Sequence, residues 1–186
     1  MASATATIPG YIAGTWKIDP THSDVAFSVR HMMVSKVRGR FATVDATIVT
    51  AEDPTLSSVT AEIDLSSIST ANEQRDAHIK SADFFEVEKY PTMTYRSTSV
   101  TPDGDDWKVE GELTLHGVTK SVPLKLELNG FTKDPYGGTR VGFSATTEIN
   151  RGDYGISISM PMDGGGVVIG EKISIQLEIE AVLEAS

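Results

Sequence analysis

The sequence predicts an all-β fold: an antiparallel sheet with one apolar face that closes on itself or packs against a second layer. Three observations carry this. Apolar and polar residues alternate in run after run, most clearly where Ile173, Ile175, Leu177 and Ile179 interleave with Ser174, Gln176, Glu178 and Glu180. The same period recurs at Ala61, Ile63, Leu65, at Leu124, Leu126, Leu128, and at Ile156, Ile158, Met160. Successive strand side chains point to opposite faces, so each run has one oily and one wet side. Turn chemistry separates the runs, at Pro102-Asp103-Gly104, Asn129-Gly130 and Pro135-Tyr136-Gly137-Gly138. Finally, runs such as 37–50, 118–129 and 139–150 exceed the usual strand of about 5–6 residues. Long twisted strands favour a barrel over a sandwich, and no Cys…Trp…Cys pattern supports an immunoglobulin-type sandwich.

In chain order, strands are expected at about 15–18, 24–31, 37–50, 58–65, 92–101, 107–115, 118–129, 139–150, 156–160 and 172–183. His116-Gly117 reads as a tight hairpin turn between Leu115 and Val118, and Gly164-Gly165-Gly166 as a flexible loop. One segment departs from strand code. Thr70-Ala71-Asn72-Glu73 has the form of a capping box, good helix formers follow to Lys80, and Tyr90-Pro91 ends the excursion. Residues 1–13 are Ala/Thr-rich and read as an N-terminal tail; 14–186 read as a single domain.

Composition narrows the function. The 186 residues hold 16 Lys+Arg against 26 Asp+Glu, a formal charge of -10. Such a chain repels phosphate backbones, so nucleic acid is not an expected partner. With no cysteine, disulfides, thiolate metal sites and Cys nucleophiles are excluded. No stretch reaches the roughly 18 apolar residues of a membrane span. The first ten residues carry neither a basic n-region nor a long apolar core, so the cytoplasm is the expected compartment.

Candidate chemistry is sparse. The histidines, His22, His31, His78 and His116, form no metal-ligand pair at close spacing, so no metal and no catalytic residues are expected. His22-Ser23-Asp24 holds three triad residue types, but strand neighbours point apart. A structural role fits better: Asp19-Pro20-Thr21 turns the chain, and Ser23 or Asp24 bonds the turn backbone. Arg75 and His78 share a helix face at i, i+3, either as a solvated surface or as a polar cluster at a barrel mouth. Gly164–Gly166 matches neither phosphate-cradling glycine motif.

Several blocks resemble the YceI-like family. Trp16-Lys17-Ile18-Asp19-Pro20-Thr21-His22-Ser23 is similar to the family's opening, and Val29-Arg30-His31 leading to Val37-Arg38-Gly39-Arg40-Phe41 to its second block. Arg75-Asp76-Ala77-His78-Ile79-Lys80-Ser81-Ala82-Asp83-Phe84-Phe85, then Lys89-Tyr90-Pro91, resembles its most specific signature. Gly111 to Lys120 resembles its central hairpin, and Ile149 to Gly155 with Ile169 to Ile173 its closing blocks. The resemblance spans about residues 14–183.

The resemblance implies an eight-stranded antiparallel lipocalin-like barrel with one short helical connection at about 70–85. It implies that a long amphipathic lipid, a polyisoprenoid or related isoprenoid or acyl chain, binds in the lumen, with no cofactor beyond that lipid. A carrier, sequestering protein or sensor needs the same container. Homodimers are common in the family, and many members are exported. Candidate wall residues are Phe27, Val29, Phe41, Phe84, Phe85, Tyr95, Leu113, Phe143, Ile156, Ile158 and Met160. Candidate polar head-group contacts are His31, Arg75, His78 and Arg151. Two other readings stand beside this one: a small cavity enzyme using His and Asp, and a filled barrel serving as a structural or interaction module.

Overall fold

A computed structural model describes residues 8–31, 34–156 and 169–184. Its β-segments are β1 (Gly14–Ile18), β2 (Asp24–His31), β3 (Ser35–Phe41), β4 (Val44–Thr50), β5 (Ser58–Asp64), β6 (Ile68–Ser69), β7 (Thr92–Asp103), β8 (Asp106–Leu115), β9 (Val118–Ser121), β10 (Leu124–Lys133), β11 (Thr139–Asn150) and β12 (Ile169–Leu183). One helix, α1, covers Glu73–Lys80. The segments build eight barrel strands, because β1 runs on into β2, β3 into β4, β5 into β6 and β9 into β10, each across a bend. All pairings are antiparallel. The barrel closes where β12 pairs with β1 at one end and with β2 at the other.

The bend between β1 and β2 shows how sequence makes such a break. Pro20 supplies no N–H to a ladder, and Asp19 caps the 3-10 turn Pro20–His22 by accepting from the Thr21 amide at 3.0 Å. Asp19 is therefore the residue that bonds the turn backbone, not Ser23 or Asp24. Ser23 reaches across to β12, where its Oγ donates to the Glu180 carbonyl (3.2 Å) and accepts from the Glu180 amide (3.0 Å). Arg140 pins the same corner from β11. Its Nη1 donates to Asp19 and Glu180, both at 2.7 Å, and its Nε to Asp134 at 2.9 Å. The hydrogen bond from Arg140, then that from His22, holds the Asp19 carboxyl at about 2, well below the ordinary carboxylate range.

The turn at His116-Gly117 forms as expected, with both residues at positive φ between β8 and β9. Asn129-Gly130 does not turn the chain. β10 continues to Lys133, and Gly130, at φ 138°, absorbs a register shift as a β-bulge. The expected capping box at Thr70 is also replaced. Ala71 sits at φ 61°, so helical backbone cannot begin at Thr70, and Asn72 caps α1 by accepting from the Arg75 amide at 2.9 Å. Thr70 instead donates its amide and hydroxyl to Asp76, at 2.8 and 2.6 Å. The helix ends at Lys80, and turns carry the chain from 81 to β7.

The strand expected at 156–160 meets the structure only at Ile156, which is outside any strand; 157–160, like Gly164–Gly166, lie outside the described residues. The expected tail also changes character. Within it, Tyr11 donates its hydroxyl to the Ala51 carbonyl and packs edge-on to Phe131, with ring centroids 5.5 Å apart. The Ile12 carbonyl accepts from Thr50 Oγ1 at 2.7 Å. Residues 8–12 thus cross one end of the barrel, because a buried Thr50 supplies them with a hydrogen-bonding partner.

Two apolar clusters fill parts of the interior. The smaller, around Trp16, Val141 and Ala181, packs at the end crossed by residues 8–12. The larger takes in residues along most of the strands, and in it Phe41, Leu65, Ile68, Leu115, Ile149 and Tyr154 pack with Phe84 from the connection after α1. Gly39 is required there. A Cβ on it would stand 2.4 Å from the Phe27 ring, so the missing side chain is what lets that ring lie across β3.

Candidate functional site

The barrel encloses a hollow bordered by residues of both clusters. The cavity has a volume of about 200 Å³, and about 1410 Å³ of empty space when everything out to its open mouth is counted. Its wall comes from alternate residues of the barrel strands: Val44, Ala46, Ile48 and Thr50 of β4, Leu124, Leu126 and Leu128 of β10, and Ile175, Leu177 and Ile179 of β12 among them. Ile8 and Tyr11 contribute from the N-terminal segment. Among the described residues, no Asp, Glu, Lys, Arg or His lines it.

Thr50 and Tyr95, two polar side chains of the wall, are turned to the protein. Trp16 Nε1 donates to Thr50 Oγ1 at 2.8 Å, and Tyr95 donates its hydroxyl to the Val122 carbonyl at 2.8 Å. Burial pushes the Tyr95 phenol well above its ordinary range. Gly111 makes room for this ring, since a Cβ there would lie 2.4 Å from it. A cavity so lined offers dispersion and exclusion of water, and its chemistry is that of a solvent for hydrocarbon.

The sequence-derived wall residues divide into two sets. Tyr95, Leu113 and Phe143 line the cavity. Phe27, Phe41, Phe84, Phe85 and Ile156 are not in the cavity wall, and neither is Val29, which follows Phe27 on the same strand face; the first five pack in the same large cluster as Tyr95 and Leu113. Alternation sets which side of the sheet a residue faces, not whether it borders the hollow: Phe41 and Phe27 are in register with Val25 and Ile175, which do. Ile158 and Met160 lie outside the described residues.

The candidate polar contacts are not gathered at the cavity. Arg75 donates from Nε to Thr70 Oγ1 (2.8 Å) and from Nη2 to the Thr70 carbonyl (2.6 Å), locking the start of α1. His78 is exposed, with Nε2 2.9 Å from Asp83 Oδ2. Arg151 is buried, donating to the carbonyls of Gly170 and Ile156, each at 2.9 Å. His31 ends β2, in register with Ser35; its side chain lies outside the described set. Asp19, His22 and Glu180 bring possible ligand atoms within 4.8 Å of one another, but Arg140 occupies that corner with two 2.7 Å hydrogen bonds.

The wall positions that the candidate list omitted, Leu124 to Leu128 and Ile175 to Ile179, sit on the clearest alternating runs of the sequence. Trp107, Val100 and Ala145 line the cavity too. Aliphatics supply most of the cavity wall, with Tyr11, Tyr95, Trp107, Phe131 and Phe143 as its aromatics.

Comparison with known proteins gives a consistent result. The profile of the YceI-like domain matches residues 16–181. A protein named YceI from Escherichia coli is 40% identical over 152 residues, 80% of each chain. A UPF0312 protein of Staphylococcus aureus is 38% identical over 164 residues, 87% of this chain and 94% of the other. Among solved structures, a YCEI protein of Campylobacter jejuni superposes with a TM-score of 0.71 at 25% identity, covering 100% of this chain and 98% of its own. A polyisoprenoid binding domain from Saccharophagus degradans shares the fold, with a TM-score of 0.70 at 18% identity, covering 93% of this chain and 100% of its own.

Proposed function

The chain belongs to the YceI-like family, and from that premise we propose that it binds one hydrophobic chain, an isoprenoid or acyl lipid, inside its barrel. The observation that carries the proposal is the cavity wall: apolar side chains from all round the barrel and no charged group among the described residues. The polyisoprenoid-binding domain of Saccharophagus degradans, which shares the fold, supports a prenyl tail as one form of this ligand. A dozen buried chain carbons contribute roughly 10 kcal/mol gross, against an association cost of at least about 4 kcal/mol. Measurable affinity therefore needs no polar contact inside, and the head group remains at the mouth. The absence of a His or carboxylate from the described wall favours binding over acid–base chemistry there. The proposal includes a carrier, sequestering or sensing role, and the homodimer that the family resemblance implies.

Trp107 lines the cavity and gives an internal reporter. Titration with farnesol or dodecan-1-ol is expected to change tryptophan emission saturably, with one site per chain, and Trp107→Phe is expected to remove most of the signal. No saturable change up to the solubility limit of either probe, in a folded protein, counts against the proposal.

A further inference from the structure

The chain carries a formal charge of -10, yet the outer face of the β2–β3 ribbon is cationic. Val25 of β2 and Phe41 of β3 are buried in the apolar cluster, so alternation turns Arg30 of β2 and Lys36, Arg38 and Arg40 of β3 outward. All four are exposed. The three cations of β3 recur at every second residue, about 7 Å apart, and Arg30 stands directly opposite Lys36. Among the described residues, Arg40 alone of the four makes an ion pair, with Nη2 2.8 Å from Asp24 Oδ1. The neighbouring outward positions of β12 are uncharged beside Ser28 and Ala26, where they are Ser174 and Gln176; carboxylates meet the ribbon at its far end, where Glu178 is in register with Asp24. Exposed Glu171 and Lys172, further along β12, offset each other. Like charges directly opposite destabilise a sheet, so Arg30 and Lys36 cost stability while this face meets only water. At the tip of the ribbon, Val34 in the turn before β3 is 84% exposed.

We propose that this face docks on an anionic lipid bilayer, with Arg30, Lys36 and Arg38 over the lipid phosphates and Val34 entering the interface. Each Lys or Arg held at an anionic membrane surface strengthens binding by about fivefold, so the three unpaired cations give a preference of about 100-fold over a neutral bilayer. An apolar side chain that enters the interface adds to that attraction. The acidic excess does not cancel it. Glu52 and Asp53 in the turn after β4, and Asp103 and Asp105 at the turn between β7 and β8, lie at the opposite end of the barrel from the β2–β3 tip. β3 and β4, of 7 residues each, separate the tip from the first of these turns by a strand path of about 20 Å each, against a screening length of about 8 Å at physiological salt. Val34 decides between a bilayer and a nucleic acid, since an apolar tip gains nothing from a phosphate backbone. The outward positions of the ribbon also hold no Phe, Tyr or Trp on which a base would stack. Docking here would hold the barrel at a source of hydrophobic chains, but it does not depend on the cavity, and either reading can fail without the other.

The test is cosedimentation of the protein with vesicles of phosphatidylcholine alone and of phosphatidylcholine mixed with phosphatidylglycerol. The expected result is binding to the mixed vesicles that is lost between about 0.1 M and about 1 M salt, as the screening length falls from about 10 Å to about 3 Å. Lys36→Gln with Arg38→Gln is expected to weaken it by about 25-fold. Lys125→Gln with Lys133→Gln removes the same charge from exposed positions of β10 and is expected to leave binding near the wild type. Arg30→Gln alone, with an expected loss of about fivefold, serves if the first double variant does not fold. Val34→Ser is expected to weaken binding without changing its salt dependence. Equal binding to both kinds of vesicle, or equal loss in the two double variants, overturns the docking face. Tighter binding to a single-stranded oligonucleotide than to the mixed vesicles, unaffected by Val34→Ser, assigns the face to nucleic acid and overturns the bilayer.

Discussion

Leu177→Glu is expected to abolish binding of prenyl and acyl chains while leaving the barrel folded. Leu177 lines the cavity on β12, in register with Ala145 of β11 and Val25 of β2, which also line it. A carboxylate there has no partner within the described wall. A bound chain would strip it of water, and burying an unpartnered polar or charged group costs at least about 3 kcal/mol, or more than 100-fold in affinity. In the empty protein the open mouth lets water reach the new group, so the fold survives. The neighbouring control separates position from charge. Gln176 is exposed on the opposite face, between Thr146 and Ala26, and Gln176→Glu is expected to bind like the wild type. Equal loss in both variants, or retained binding in Leu177→Glu, contradicts a ligand in the barrel.

Arg151→Ala is expected to cost the most stability of any single change considered. Arg151 is 5% exposed, and its guanidinium donates to the carbonyls of Gly170 and Ile156. It follows Asn150, whose side chain accepts from the Gly152 amide at 2.9 Å and so starts the 3-10 turn Arg151–Tyr154. One side chain thereby ties the end of that turn to the start of β12. Hydrogen bonds to a charged group contribute about 1.5–3 kcal/mol each, and their loss leaves buried carbonyls without this donor. The expected cost is about 3–5 kcal/mol, read from the denaturation midpoint at unchanged m. Arg151→Lys keeps the charge but not the planar fork, and is expected to fall between the two. A cost below about 1 kcal/mol for Arg151→Ala would show that the two carbonyls find other donors.

How much of this was legible in the sequence depends on the length scale of the signal. Period-2 alternation marked runs on each barrel strand, because strand faces are local, though it also marked 156–160, where Ile156 lies outside any strand, and the number eight came from the family resemblance. His116-Gly117 was legible as a hairpin turn for the same reason, with two residues that tolerate positive φ. Asn129-Gly130 carries the same local chemistry and became a bulge, since the pairing with β11 extends past it from Leu128 to Lys133. Thr70 lost the helix cap to Asn72 through a left-handed Ala71, a choice fixed by the contacts Thr70 makes with Asp76 and Arg75. The lumen was legible as a face but not as a border of the hollow. Phe27 and Leu177 pack on the same cluster, and only the closed barrel sets Leu177, but not Phe27, beside the hollow. Arg151 stood among the candidate head-group contacts; the partners it has, the carbonyls of Ile156 and Gly170, are backbone groups that no residue pattern reveals.

The most direct test of a lipid inside the barrel is to extract the protein, purified without detergent, into organic solvent and weigh what is released by mass spectrometry, beside Leu177→Glu prepared in parallel. The expected result is one prenyl or acyl molecule per chain from the wild type and none from the variant. Wild-type protein that releases no lipid and also takes up none of the added chains would contradict the account and leave a barrel whose hollow serves no hydrophobic ligand.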